Sequence, residues 1–443
     1  MQTYQPASEQ RPGETVVLLR EEAGSQVQRT VLPGGLRIIS EQVPSARSVS
    51  VGAWVAAGSR DEESAEHGAA HYLEHLLFKA TQNRSAMEVA AAIDAVGGDL
   101  NAFTSREFTC YYARVLDRDL PLAVDVVLDV VGAPLMRDTD VEGERGVVLE
   151  EIAMHEDDPG DVAHEHLFAA VLSSESLARP VLGTSDSIRG LSGDRIRGFY
   201  ERHYVAPKMV IAAAGAVDHG ELVELVSAAA RQYGWLDGDE SPQPVRSGSI
   251  REGNGSGRVV LPRHSEQIHL VVGGPGLTRR DDRRYAFGVM NSILGQGMSS
   301  RLFQQVREER GLAYSVYSFA APFADAGVFG VYAGSSPEKS DEAAEVIAAE
   351  LAVVAERGLT PEEVDRGRGH LRGSLVLGLE DGFARMARLG KAEVATGELP
   401  GIAEIHRRLD DVSPESVAAV ASDVLGSADM TVVVGPEEGE SDG

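Results

Sequence analysis

Cysteine, membrane-length apolar runs and a secretory leader are all missing or scarce in this chain of 443 residues. The single Cys110 cannot form an intramolecular disulfide, which favours a reducing compartment and predicts a cytoplasmic location. No segment approaches the roughly 18 consecutive apolar residues of a membrane-spanning helix. The first residues lack the basic and apolar segments of a signal peptide, so we expect neither a leader nor a membrane span.

Positive charge is also scarce, because 69 acidic residues face 41 basic ones and only four of the latter are lysines. The net charge of −28 repels nucleic acid and anionic lipid and excludes both as expected partners. It favours cationic ligands such as basic peptides, although solubility alone is a simpler explanation.

The length predicts two domains, since a single core rarely organises more than about 250–300 residues. One segment rich in Gly, Pro, Ser and charge, without apolar periodicity, is typical of a linker. The predicted parts are a flexible arm over 1–26, a first domain over 27–236, a linker over 237–257, a second domain over 258–436 and an acidic tail over 437–443.

The two halves carry similar segments in the same order, which predicts duplication of one fold. Each opens with two strands, continues with a long helix and an aromatic-rich strand pair, and ends on an apolar strand. The predicted class is α+β, with two similar α/β-sandwich domains, each a mainly antiparallel sheet covered by helices. In the first half, we expect a long helix from about Ser64, a hairpin over 100–115 that turns near Ser105, and a helix over 140–155.

The most specific motif is H-x-x-E-H, formed by His71, Glu74 and His75. On a helix, positions four apart share one face, so both imidazoles can meet one tetrahedral Zn²⁺. Glu74 lies on the same face, within reach of a metal-bound water. The order is the inverse of the H-E-x-x-H motif of zinc peptidases. The alternative is a helix with two ordinary surface histidines.

A third ligand is predicted on the later helix, where Glu144 and Glu151 are two turns apart beside an apolar stripe. Carboxylates in such a position are costly to bury unless they meet a cation. We interpret both as belonging to the metal site, whereas Glu150, Glu156 and Asp157 fit a solvated helix face.

With these motifs, the chain resembles the pitrilysin or insulinase family of zinc metallopeptidases. It is most similar to the single-unit branch that includes mitochondrial processing peptidase β subunits and bacterial relatives. In that family a distant glutamate completes the metal site and is preceded at two helical turns by another acidic residue. The resemblance implies that Glu151, 76 residues after His75, is the third ligand of one zinc ion per chain. It implies that Glu144 supports a neighbouring histidine or the substrate. Glu150 competes with Glu151 for the ligand role, and only spacing argues against it.

Two further segments extend the resemblance over nearly the whole chain. The segment Asn101, Ala102, Phe103 and Thr104 is similar to the family's edge strand, to which a peptide substrate adds as a β-strand. Phe103 either lines a side-chain pocket or packs within the sheet. Arg307 and Tyr314 match an arginine and a tyrosine, seven positions apart, that contact the substrate backbone.

The resemblance implies an endopeptidase that cleaves peptides or unfolded segments inside a closed chamber. Glu74 is expected to take a proton from the attacking water, and Arg307 and Tyr314 to hold the developing oxyanion. Since two-unit relatives complete the metal site with a later domain, we expect a homodimer with sites completed in trans.

Two alternatives remain open at this level. A non-catalytic scaffold or regulatory subunit of the same fold usually loses the metal motif or the Arg/Tyr pair, and this chain keeps both. An unrelated zinc hydrolase would act on a non-peptide substrate. Zinc content and peptide cleavage distinguish these possibilities.

Overall fold

The computed structural model describes residues 5–21, 24–172, 175–248 and 255–436. The predicted acidic tail over 437–443 lies outside the described residues, as does the part of the predicted linker over 249–254.

In the described ranges, the strands form one sheet of seven and one of five. Their bounds are β1 Thr15–Arg20, β2 Gln26–Val31, β3 Arg37–Gln42, β4 Ser48–Val55, β5 Asp99–Thr104, β6 Thr109–Leu116, β7 Met209–Gly215, β8 Gly257–Pro262, β9 Ile268–Pro275, β10 Ala313–Pro322, β11 Gly327–Ser335 and β12 Met430–Gly435.

The α-helices alternate with these strands along the chain. Their bounds are α1 Ala69–Leu77, α2 Ala86–Asp94, α3 Leu120–Gly132, α4 Asp138–Asp157, α5 Pro159–Val171, α6 Glu175–Ala178, α7 Ser185–Gly190, α8 Gly193–His203, α9 His219–Gln232, α10 Arg284–Gly295, α11 Ser340–Arg357, α12 Pro361–Gly378, α13 Gly382–Lys391, α14 Ile402–Asp410 and α15 Pro414–Leu425. Two π-helical turns span Phe303–Glu308 and Ala392–Thr396.

The two sheets have the same topology. The strand order is β1-β2-β3-β7-β4-β6-β5 in the first and β10-β11-β9-β12-β8 in the second. Read from the edges β5 and β10, the order of five strands corresponds one to one. In both sheets these strands pair antiparallel except for one parallel pair, β3 with β7 and β8 with β12. The predicted fold class of two similar sandwich domains is confirmed, with β1 and β2 as an addition to the first sheet.

The described residues form two compact units, and neither is continuous in sequence. Unit 1 comprises the described parts of Met1–Ile152, Arg179–Arg246 and Leu377–Ile402. Unit 2 comprises those of Ala153–Ala178, Ser247–Val376 and Ala403–Gly443. The compact units differ from the predicted continuous domains 27–236 and 258–436 by two helical segments. Residues 377–402 belong to unit 1, and residues 153–178 belong to unit 2.

In unit 1, helices cover both faces of the sheet. Strand β7 is apolar throughout and buried along its whole length, as expected for a strand covered on both sides. Helices α3 and α9 pack on one face, and α13 packs on the other. Helix α13 lies so close to the sheet that a Cβ atom at Gly390 would be 2.2 Å from the Trp54 ring. The indole Nε1 of Trp54 donates to Met386 Sδ at 3.1 Å.

Unit 2 repeats this arrangement. One core lies between the sheet and α10, α11 and α15, and includes Phe329, Met290 and Val420. The second core lies where α5 packs on β9 and β12, and includes Leu167 and Val432. Each sheet thus takes the helix on its second face, α13 or α5, from the other half of the chain.

Two local expectations differ from the structure. The prediction of a flexible arm over 1–26 is wrong for Thr15–Arg20, because this segment forms β1 and pairs antiparallel with β2. The helix expected from Ser64 begins only at Ala69, after a short 3-10 turn over Ser64–Glu66. The hairpin over 100–115 is confirmed, with its turn between Thr104 and Thr109. In the described part of the chain, no helix is long and apolar enough to cross a bilayer.

Candidate metal centre

Helix α1 presents the H-x-x-E-H motif, and its start is fixed by backbone conformation. Gly68 precedes the helix with φ of +91°, a value that side-chain-bearing residues rarely adopt. The buried Glu62 carboxylate accepts hydrogen bonds from Gly68 N at 3.0 Å and Ala70 N at 2.8 Å. It thereby satisfies two backbone donors at the helix start. Burial raises the pKa of Glu62 to about 8, against the opposing effect of these two backbone donors.

Helix α4 supplies the carboxylates. Val141, Val148 and Ile152 are buried and turn one side of α4 toward the core of unit 1. Glu144 is 5% exposed, whereas Glu150 is exposed. The helix therefore directs Glu150 to solvent and Glu144 toward the protein.

Three donor atoms from α1 and α4 converge. His71 Nε2 and His75 Nε2 are 3.3 Å apart, and Glu151 Oε2 lies 3.4 Å and 3.3 Å from them. Two atoms bound tetrahedrally to one zinc ion at roughly 2.0–2.1 Å are about 3.3 Å apart, so the donor set fits this metal. Among the described residues, no other cluster of at least three His, Cys, Asp or Glu side chains offers comparable donors.

The electrostatics of His71 also suit a cation. Burial, followed by the nearby His75, lowers the pKa of His71 to about 4, so its imidazole is neutral near pH 7. A neutral imidazole offers a nitrogen lone pair to a metal. His71 Nδ1 is buried and has no hydrogen-bond partner in the described part of the chain.

His75 is held from behind by Glu144. His75 Nδ1 lies 3.1 Å from Glu144 Oε1, and the other carboxylate oxygen forms an ion pair with Lys79 Nζ. Since an ionised carboxylate only accepts, Nδ1 carries the proton and Nε2 presents its lone pair to the donor cluster.

Glu74 lies beside the donor cluster and is held by Thr104. The Thr104 hydroxyl donates to Glu74 Oε2 at 2.5 Å. Burial raises the pKa of Glu74, while the Thr104 hydrogen bond and His75 oppose this effect. The Glu74 carboxylate thus lies beside the donor cluster and is oriented by Thr104 on β5.

The predicted substrate strand is an edge strand, because among the described residues β5 pairs only with β6. Its side chains alternate between the two faces. The Phe103 ring packs edge-on against Trp54 and near Tyr112 and Phe383, which favours packing over a side-chain pocket. Asn101 is exposed and accepts from the backbone N of Ala102.

Sequence-family models match most of the chain. The model of insulinase, peptidase family M16, covers residues 37–185. The model of the peptidase M16 inactive domain covers residues 190–371. The chain belongs to peptidase family M16. The first match contains the complete donor cluster and Glu74.

Relatives match this M16 chain over nearly its whole length. An uncharacterized zinc protease of Streptomyces coelicolor is 52% identical, with 98% of this chain and 95% of the relative covered. An uncharacterized zinc protease of Mycobacterium tuberculosis is 48% identical over 92% and 93% of the two chains. The uncharacterized zinc protease YmxG of Bacillus subtilis is 35% identical over 93% and 98%.

Solved structures share the fold of this M16 chain. A peptidase M16 inactive domain from Pseudomonas fluorescens has a TM-score of 0.84 at 21% identity and covers 93% of this chain and 98% of its own. A protease from Helicobacter pylori has a TM-score of 0.83, also at 21% identity, over 93% and 100%. At this identity the likeness concerns the fold alone.

The Arg/Tyr pair of this M16 chain lies in unit 2. The Arg307 guanidinium is 4.7 Å from the ring centroids of both Phe303 and Tyr314, so it lies against two aromatic rings. Tyr314 is 76% exposed on the edge strand β10. The structure thus brings Arg307 and Tyr314 together in unit 2, whereas the donor cluster lies in unit 1.

Sequence reasoning missed three features of this site. Glu62 caps α1 from nine residues before His71, and no motif marks it. Thr104 was assigned to the substrate strand, whereas its hydroxyl contacts Glu74. Lys79 follows His75 by four residues, and this helical spacing was the available signal for its position near the site.

Proposed function

We propose that this chain is a zinc-dependent endopeptidase that holds one zinc ion per chain through His71, His75 and Glu151. The observation that carries the proposal is the triangle of donor atoms with sides of 3.3–3.4 Å, formed by two histidines and one carboxylate. Three protein ligands leave one tetrahedral position open, which is the arrangement of catalytic rather than structural zinc.

The chemistry divides between the ion and Glu74. A zinc ion bound here would act as a Lewis acid that polarises a peptide carbonyl and makes water a better nucleophile near neutral pH. Glu74 accepts the proton of the attacking water and passes it to the leaving amine. Its helix places it beside the ligands, and the Thr104 hydroxyl at 2.5 Å limits its orientation.

The substrate in this proposal is an extended peptide that adds to β5. The outer edge of β5 is free of a strand partner among the described residues, so it offers backbone donors and acceptors. Recognition through backbone hydrogen bonds tolerates many sequences, and a closed chamber would restrict substrates to peptides and unfolded segments. Arg307 and Tyr314 serve as donors to the substrate backbone and the developing oxyanion.

We further propose that two copies of the chain form a homodimer in which Arg307 and Tyr314 serve the partner's metal centre. The resemblance to two-unit relatives supports this arrangement. The test mixes Glu74→Gln chains with Tyr314→Phe chains, each defective alone. Trans completion predicts recovered activity after subunit exchange, and exchange without recovery contradicts it.

The main test measures zinc and proteolysis in the same preparation. The purified chain is expected to hold one zinc per chain and to cleave quenched fluorescent peptides. Glu74→Gln is expected to keep the zinc and lose activity by several orders of magnitude, because the ligands remain and the proton acceptor is gone. Bound zinc without turnover of any peptide in a random library would instead support a scaffold of the same fold.

A further inference from the structure

We propose that Lys79 is a positioning residue for the metal centre and acts on zinc affinity through Glu144 and His75. The inference rests on the proposed function, since it concerns the same zinc site. The juxtaposition that supports it is a continuous chain of contacts, from Lys79 Nζ to Glu144 Oε2 and from Glu144 Oε1 to His75 Nδ1.

The need for a cation follows from the burial of Glu144. Its side chain is only 6% exposed, and burying a carboxylate is costly unless it is paired and hydrogen-bonded. His75 Nδ1 offers Glu144 Oε1 one hydrogen bond at 3.1 Å. Lys79 provides the full positive charge among the partners that the structure gives Glu144 in the described part of the chain.

The position of Lys79 suits this role. It lies one helical turn after His75, where α1 has ended and the backbone N of Lys79 donates to Leu76 O at 3.1 Å. The backbone of Lys79 is therefore fixed at the end of the same helix that carries His71 and His75. The Lys79 side chain is 38% exposed, so its ammonium group keeps contact with solvent while it pairs with Glu144.

Charge balance around the site supports the same assignment. Glu74, Glu144 and Glu151 place three carboxylates around two histidines, and one divalent ion with one ammonium balances them. Lys79 pairs with Glu144, which is not a proposed ligand, so Glu144 stays directed at His75. A fixed second carboxylate keeps the ligand histidine in its metal-binding tautomer.

The sign of the effect separates this role from a simple charge effect. A lysine acting only as a nearby charge repels Zn²⁺, so its removal would tighten zinc binding. A lysine that positions Glu144 has the opposite effect, and its removal weakens binding. Loss of such outer contacts typically costs about 10–100-fold in metal affinity.

The experiment measures the zinc Kd of the full chain by competition with a fluorescent chelator. Lys79→Met is expected to raise the Kd about 10–100-fold, and Lys79→Arg, which keeps the charge, to stay within a few-fold of the wild type. Lys208→Met is the matched control, because Lys208 lies in the same unit but contacts Arg202 O and His203 Nδ1. It should leave the Kd unchanged.

A double-mutant cycle tests the route through Glu144. In a Glu144→Gln background, Lys79→Met is expected to change the Kd by less than about threefold, since the carboxylate that it holds is gone. Equal or tighter zinc binding by Lys79→Met in the wild-type background would overturn the inference. A full effect that persists without Glu144 would also overturn it. Absence of zinc binding by the wild-type chain would instead refute the proposed function.

Thermal melts of the metal-free variants check that each is folded, and Lys79→Gln replaces Lys79→Met if the latter is not.

Discussion

At the scale of single residues, the site consists of groups held by their neighbours. Glu144 orients His75, Thr104 orients Glu74, and Glu62 caps the start of helix α1. The H-x-x-E-H motif predicts the two candidate histidine ligands because helical spacing is local. The contacts of His75 with Glu144 and of Glu74 with Thr104 join residues 69 and 30 positions apart, and no local pattern predicts them. Glu62 lies only six and eight positions from its two partners, but no motif marks it.

Replacing Thr104 by Val tests the orientation of Glu74. Valine keeps the shape but removes the hydroxyl that donates at 2.5 Å. Since a hydrogen bond to a charged group contributes about 1.5–3 kcal/mol, we expect kcat to fall roughly 10-fold or more. The zinc content should not change, because no ligand is altered. Thr104→Ser, which keeps the hydroxyl, is the control, and equal kcat values for the two variants would contradict this role.

A buried histidine away from the metal predicts how stability depends on pH. His219 is 5% exposed, with Nδ1 2.8 Å from Ser40 Oγ and Nε2 2.9 Å from Thr30 Oγ1. Burial lowers the pKa of His219 to about 4 from 6.5. The folded state therefore disfavours protonation, and the stability from this group is present above pH 6.5 and is lost as the pH falls toward 4.

Between pH 7.5 and pH 5, His219 should cost unit 1 about 2 kcal/mol of unfolding free energy. The measurement is urea unfolding followed by tryptophan fluorescence, since both tryptophans, Trp54 and Trp235, lie in unit 1. In His219→Gln, which cannot be protonated, the difference between the two pH values should shrink by this amount. An unchanged difference would contradict the assignment.

At the scale of elements, local patterns predicted most strands but not which helix covers which sheet. The aromatic-rich strand pair β5 and β6 and the apolar run of β7 are local patterns, and they predicted the hairpin and the apolar strand. The packing of α13 on the sheet of unit 1 depends on contacts between residues more than 300 positions apart, such as Trp54 with Met386. The delayed start of α1 depends on the positive φ of Gly68, which the identity of the residue permits but does not require.

The segment after α12 is fastened to the sheet of unit 1 by a buried ion pair. Glu393 Oε1 lies 2.8 Å from Arg29 Nη1, and Arg37 Nη1 donates to the backbone oxygen of Glu393 at 2.7 Å. All three side chains are almost completely buried. Removing one partner of such a pair leaves an uncompensated buried charge and typically costs about 3–5 kcal/mol.

Glu393→Gln is accordingly expected to destabilise unit 1 by about 3–5 kcal/mol, observed as a lower urea midpoint in tryptophan fluorescence. Trp54 packs on the same segment and reports its release directly. The exposed Glu201→Gln in the same unit is the matched control and should change stability by less than about 0.5 kcal/mol. A similar midpoint for both variants would show that the ion pair does not fasten the segment.

At the scale of the whole chain, the repeated strand order supports duplication, and the two copies have diverged in chemistry. Among the described residues, only unit 1 carries a cluster of three side chains that could hold a metal ion. In unit 2, the Arg307 guanidinium lies over the rings of Phe303 and Tyr314, and Tyr314 is on the corresponding edge strand β10. The order of segments predicted the duplication because it survives when residue identity is lost. The discontinuous units were not predicted. Unit 1 includes α13 from late in the sequence and unit 2 includes α5 from early in it, but this leaves the order of segments along the chain unchanged.

The net charge of −28 gives the last prediction, which concerns substrate choice. A strongly negative protein attracts cationic peptides over distances comparable to the Debye length, which falls from about 10 Å at 0.1 M salt to about 3 Å at 1 M. For a peptide with several Lys or Arg residues, kcat/KM should fall several-fold between 0.05 and 0.5 M NaCl, chiefly through KM. A matched peptide with Gln in place of each basic residue should change less than about twofold, because steering needs charge on both partners. If both peptides respond equally to salt, the acidic surface serves solubility rather than substrate selection.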